Sequence, residues 1–108
     1  MKAHFRFAAL LAAATASQAS AQTIAPIYVT DTNNDKIWRC EDLNGNGNYN
    51  DAGEITEFYD EIIGGLLDIQ LNVSIAVAAD GKVYMSDTGS DSIFVFEDLN
   101  GDGDAHDA

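Results

Sequence analysis

Two short stretches hold the residues that could do chemistry. Asp42, Asn44 and Asn46 fall on alternate positions ahead of Gly47, and Asp98, Asn100 and Asp102 repeat the spacing ahead of Gly103. Hard oxygens on alternate residues, followed by a glycine that permits a sharp turn, are the first half of an EF-hand-type calcium loop. Side chains at positions 1, 3 and 5 and the carbonyl at position 7 surround one cation that takes about 6–8 oxygens. Asn48 and Asp104 supply the position-7 carbonyls. The second half departs from that pattern. Position 12, where a bidentate glutamate belongs, is Gly53 in the first loop, with Glu54 one residue late, and the second stretch ends before it. Both carry Asp at position 10, Asp51 and Asp107. The expected donors are therefore Asp42, Asn44, Asn46 and Asn48, closed by Asp51 or Glu54, and Asp98, Asn100, Asp102 and Asp104, closed by Asp107.

The donor chemistry selects Ca²⁺. Mg²⁺ demands a stricter octahedron and keeps its waters. Zinc and copper want His or Cys, and the chain beyond its first 21 residues offers only Cys40 and His106, far apart in sequence. With several neutral Asn donors the expected affinity is weak, about 10⁻⁴–10⁻³ M. The competing reading is a polar Asn/Gly loop that binds nothing. Two copies with aligned carboxylates argue against it.

The loops belong to a repeat. Slid by 56 residues, "IYVTDTNNDKIWRCEDLNGNGNYNDA" (27–52) lies on "VYMSDTGSDSIFVFEDLNGDGDAHDA" (83–108) without a gap, identical at 13 of 26 positions. Apolar and polar positions hold register together, as expected of a repeated supersecondary unit. Each unit reads as β. From Leu67 to Val77 the odd positions are apolar and most even ones polar, the period of a strand buried on one face. Asp80-Gly81 predicts a two-residue type I′ hairpin turn. "KVYMSD" and "IFVFED" follow as strands, matched by "IYVTD" and "IWRCED" in the first unit. "EITEFYDE" reads as a fourth strand, and no stretch shows a convincing helical period. The expected fold is all-β: two incomplete four-stranded units, antiparallel meanders, the first without its opening strand and the second without its closing one.

"SIAVAADGKVYMSDTGSDSIFVFED" resembles an NHL-type β-propeller repeat, a pattern shared with gluconolactonase-like six-bladed propellers. The features that carry it are the Asp-Gly turn, the Val-Tyr-x-x-Asp-Thr-Gly stretch and the Ile-x-Val-Phe strand. The long acidic loop departs from that family and is similar to dockerin-like calcium loops. The resemblance implies two partial propeller blades. A propeller closes with about 4–8 blades, so the expectation is a fragment of a longer propeller, or a chain that pairs through its exposed strand edges with further blades or another copy.

The rest of the sequence sets the context. Met1–Ala21 has Lys2 and Arg6, an apolar run from Phe7 to Ala14, and Ala19-Ser20-Ala21, the three parts of a secretory signal peptide cut before Gln22. This predicts a periplasmic or secreted domain over residues 22–108, with no membrane attachment after cleavage. That domain keeps three basic residues against 18 acidic ones, a net charge of −15. Such a charge repels nucleic acid, whose binding rests on Lys and Arg, attracts cations, and strains the compact state by self-repulsion. One cysteine cannot form an internal disulfide, so metal is the expected staple of a domain this small.

Cys40 aligns with Phe96 and reads as a small core residue; Trp38 and Phe94 read as core between units. Asp31 and Asp87 end equivalent strands and are expected to cap turns. His106 is expected to be solvated. Asn72-Val73-Ser74 fits a glycosylation sequon but lies in a strand. No Ser/His/Asp set, Cys/His pair or phosphate loop is present. The leading expectation is a secreted calcium-binding repeat module with a structural or adhesive role. The alternative is the N-terminal piece of a propeller hydrolase, lactonase-, esterase- or phytase-like.

Overall fold

Two hairpins 56 residues apart have the same form. In the computed structural model, which describes residues 24–65, 69–70 and 72–107, β1 (Ile27–Asp31) pairs antiparallel with β2 (Lys36–Cys40), and β5 (Val83–Asp87) with β6 (Ser92–Phe96). The strand bounds differ by the repeat length at every end. The turns match as well: Asp35 and Asp91 both stand at φ 53°, a left-handed conformation that Asp tolerates better than most residues. The leader assigned to Met1–Ala21 lies outside the described residues, as do Leu67 and Leu71.

Each hairpin gains one strand, on opposite sides. β3 (Ile55–Asp60) adds to β2, and β4 (Asn72–Val77) adds to β5, giving three-stranded antiparallel sheets β1-β2-β3 and β4-β5-β6. The chain is thus mostly β, as expected. Its short helix α1 (Glu61–Gly64) was not expected. The fourth strand, read through Glu61, stops at Asp60 because the Asp60 carboxylate accepts the Ile62 N–H at 2.8 Å and caps the turn. Gly65, at φ 63°, ends it by donating its N–H to the Glu61 carbonyl.

Two local readings are corrected. The Asp80-Gly81 turn is not type I′, which needs positive φ at both central residues. Only Gly81 takes one, 90°. Ala78 and Lys82 close a three-residue loop through Ala78 N–H to Lys82 O, and Gly81 donates to Ala78 O at 2.9 Å. The alternating burial expected from Leu67 to Val77 also fails. Register shifts between Asn72 and Ser74, so Val73 has no partner and turns to solvent; Val77 is exposed and Ile75 only half-buried. Ile69, just before β4, is buried.

The sheets pack face on face. Register pairs Tyr28 with Arg39 and Thr30 with Ile37, so these four share one face of the first sheet. A bulge in β3 leaves Phe58 unmatched beside Ile37, and both Phe58 and Tyr59 are buried. In the second sheet Val83 pairs with Phe96 and Met85 with Phe94. These residues join Ile37, Phe58, Tyr59 and Ile69 in one core, with the Tyr59 and Phe96 rings 4.7 Å apart. Thr32 Oγ1 donates to the Asn72 carbonyl at 2.9 Å and ties the turn of the first sheet to β4.

Candidate metal centre

The first loop runs from β2 to β3 and is organised by its own carboxylates. Asp42 Oδ1 accepts the N–H groups of Gly45 and Asn46, and Oδ2 that of Gly47. Gly45 and Gly47 stand at φ 74° and 83°, which lets successive amides turn toward one carboxylate. Asn44 Oδ1 accepts from Asn46 N, Asn46 Oδ1 from Asn48 N, and Asn48 Oδ1 from Asn50 N. This chain of Asx turns winds the loop. The Asn44 and Asn46 amides then converge on Asp51 Oδ2, at 2.7 and 2.6 Å.

Glu54 anchors the loop to the fold. It is 1% exposed and accepts two backbone N–H groups, Leu43 on Oε1 at 3.1 Å and Asp51 on Oε2 at 3.0 Å. Its own backbone bonds Glu41 across the loop mouth. Of the two residues expected to close this loop, Asp51 thus faces the Asn side chains and Glu54 braces the backbone. Asn48 is drawn into the Asx chain instead of toward Asp51.

The second loop repeats most of this. Asp98 accepts from Gly101 and Gly103 N–H, and Asp102 N–H donates to Asn100 Oδ1. The Asn100 amide donates to both Asp102 and Asp107. Asp107 Oδ2 also accepts the Leu99 N–H at 2.6 Å, the role Glu54 plays for Leu43. One carboxylate here does the work of two. The Asp104 carboxylate accepts the His106 N–H at 2.9 Å and lies 3.4 Å from that residue's Nδ1.

His106 is not solvated. Its ring stacks on Tyr59, centroids 5.5 Å apart, and Nε2 accepts the Asp60 N–H at 2.8 Å. Ala105 N–H donates to Phe58 O beside it. The second loop therefore lies along the free edge of β3. Sequence offered no sign of this, because the partner is a backbone group 46 residues away.

Asp31 and Asp87 cap their turns as expected. Asp31 Oδ2 accepts from Asn34 and from the Trp38 indole; these bonds, Asn34 first, hold its carboxyl below the usual range. Asp87 accepts from Gly89, Ser90 and Gln70. Lys36, unremarked in sequence, sits 2.6 Å from Asp60 Oδ2 and 2.7 Å from Glu57 Oε2. Its bond to Asp60 holds that carboxyl below the usual range, and the two acids raise the lysine.

Among the described residues no group of three or more His, Cys, Asp or Glu side chains is placed to hold a metal ion; each loop combines carboxylates with Asn amides. No family model, curated protein or solved structure matches the chain.

Proposed function

We propose that this chain is a secreted calcium-binding β-repeat module whose two sheets are propeller-type blades, with a structural or adhesive role. One observation carries the reading: in the first loop Asn44, Asn46 and Asp51 converge on a common point, while Asp42 and Glu54 hold the backbone around it. Three oxygen-bearing side chains meet there within hydrogen-bond distance. At present the amide N–H groups face the Asp51 carboxylate. Turning each amide about its last bond brings its oxygen to that point at the expense of the Asx bonds from the Asn46 and Asn48 N–H groups, and a cation then replaces the amide protons as the positive partner of Asp51. Asp42, Asn44, Asn46, the Asn48 carbonyl and Asp51 supply hard oxygens of the kind Ca²⁺ prefers. In the second loop Asp98, Asn100, Asp102, the Asp104 carbonyl and Asp107 do so. The −15 charge of residues 22–108 favours cation uptake, and the Met1–Ala21 leader directs the chain to a compartment where weak calcium sites fill.

The test is thermal unfolding with and without calcium. For a Kd of about 10⁻⁴–10⁻³ M, about 10 mM Ca²⁺ stabilises by about 1.4–2.7 kcal/mol per loop. Asp42→Ala removes the share of the first loop. Identical melting temperatures in Ca²⁺ and in chelator would end the proposal.

A further inference from the structure

The internal repeat shows how one sheet receives another, and each sheet leaves uncovered the face its counterpart uses. Ile37 and Ile93 are equivalent; Ile37 is 0% exposed in the contact between sheets, while Ile93 is 72% exposed. Val29 and Met85 are equivalent in the opposite sense: Met85 is 0% exposed and Val29 is 47% exposed. The pattern extends along both faces. Tyr28 and Ile37 of the first sheet meet Val83, Met85, Phe94 and Phe96 of the second. Tyr84, Ser86, Ile93 and Val95, the counterparts of Tyr28, Thr30, Ile37 and Arg39, form one face of the second sheet, on which Tyr84, Ile93 and Val95 are exposed. Ile27, Val29, Trp38 and Cys40, the counterparts of Val83, Met85, Phe94 and Phe96, form the other uncovered face, on which Ile27 and Val29 are exposed.

We infer that these two faces are an interface between copies of the chain. The Ile27/Val29/Trp38 face of one copy docks on the Tyr84/Ile93/Val95 face of the next, head to tail, in the arrangement the two sheets already use inside one chain. Three features fit this occupant. The faces are non-identical, so the contact is heterologous and each copy keeps one face of each kind for a further neighbour. Where the first sheet carries Arg39, the second carries Val95, which makes the open face more apolar than its internal counterpart. Lys36, beside Trp38, is already matched by Glu57 and Asp60, so its ammonium enters the contact with its partners in place. Such a contact closes into a ring or grows as an array according to its rotation. It involves none of the loop carboxylates, so it stands or falls apart from calcium binding.

The experiment uses two charged variants of exposed positions, Ile93→Arg and Val29→Arg, with Val95→Arg and Ile27→Arg as a second pair should either fail to give the wild-type circular dichroism spectrum. Mass is read by light scattering over the micromolar range, in chelator. The wild type is expected to exceed monomer mass with rising concentration, and each variant alone to stay at monomer mass. An equimolar mixture of the two should reach twice the monomer mass and stop, because only one intact pair of faces remains. A monomeric wild type, a mixture that stays monomeric, or a single variant that assembles like the wild type would each overturn the inference.

Discussion

The imidazole Nε2 of His106 accepts the backbone N–H of Asp60 at 2.8 Å, and this bond pins the second loop to the edge of the first sheet. Asp60 is a junction: its N–H goes to His106, Oδ1 caps α1 and Oδ2 meets Lys36. His106→Ala strands a largely buried N–H, which costs about 1–3 kcal/mol, several degrees or more in melting temperature for a domain of this size. His106→Phe keeps a ring on Tyr59 but no acceptor. Both variants should melt early, and the Asp60 amide should exchange faster in both. Wild-type exchange at Asp60 in the Phe variant would show that stacking alone holds the loop.

Stability should respond to pH through Lys36. Its ammonium depresses the Asp60 carboxyl below its ordinary 3.8, so that contribution is complete above about pH 4–5 and is lost as pH falls through the lowered value. Lys36 itself is raised above its ordinary 10.5, so its share is complete below that pH and is lost only as pH rises through the raised value. Lys36→Met removes the basic limb and the largest cause of the acid one, leaving the Ile62 N–H on Asp60. Urea unfolding between pH 2 and 6 should show a shallower acid loss in the variant than in the wild type. Equal slopes would assign the acid sensitivity to other carboxyls, Asp31 among them.

Much of this architecture was legible in the sequence, because the repeat constrains it twice. A 56-residue shift placed both hairpins, both loops and the two extra strands on opposite sides. The turn-capping roles of Asp31 and Asp87 followed from their place at strand ends. What escaped was set by tertiary contacts. The Asn72–Ser74 register shift turned Val73 outward despite its place in an alternating run. Which apolar face is buried was not readable either: Ile27 and Val29 are as apolar as Val83 and Met85, and only packing decides which pair is covered. In the first loop, types and spacing named Asn44, Asn46 and Asp51, which converge, together with Asn48, which does not join them. The division of labour between Asp51 and Glu54 depended on burial that spacing does not encode.

Gly64 is required by a neighbour, not by its backbone angles. A Cβ there would run into the Tyr59 ring. Tyr59 is buried and packed between Phe96 at 4.7 Å and His106 at 5.5 Å, so yielding would disturb both contacts. Replacing a helical glycine by alanine ordinarily stabilises by about 0.5–1 kcal/mol, whereas overpacking costs about 1–3 kcal/mol. The clash should prevail, so Gly64→Ala is expected to lower the melting temperature. A rise would show that the Tyr59 stack moves freely.

The roles of Asp51 and Glu54 separate in a background where Asp98→Ala silences the second loop. Both Glu54 oxygens are occupied by backbone N–H groups, while Asp51 Oδ2 faces Asn44 and Asn46. Glu54→Gln sets an amide NH₂ against a backbone N–H in a buried place, at a cost of about 1–3 kcal/mol without calcium. It leaves the Asp51 group untouched, so the melting temperature should start lower and still rise with Ca²⁺. Asp51→Asn keeps the shape and a hydrogen-bonding carbonyl but loses the charge that balances the cation, so it should start near the wild type and lose most of the rise. The reverse pattern, a calcium response surviving Asp51→Asn and abolished by Glu54→Gln, would make Glu54 the closing ligand.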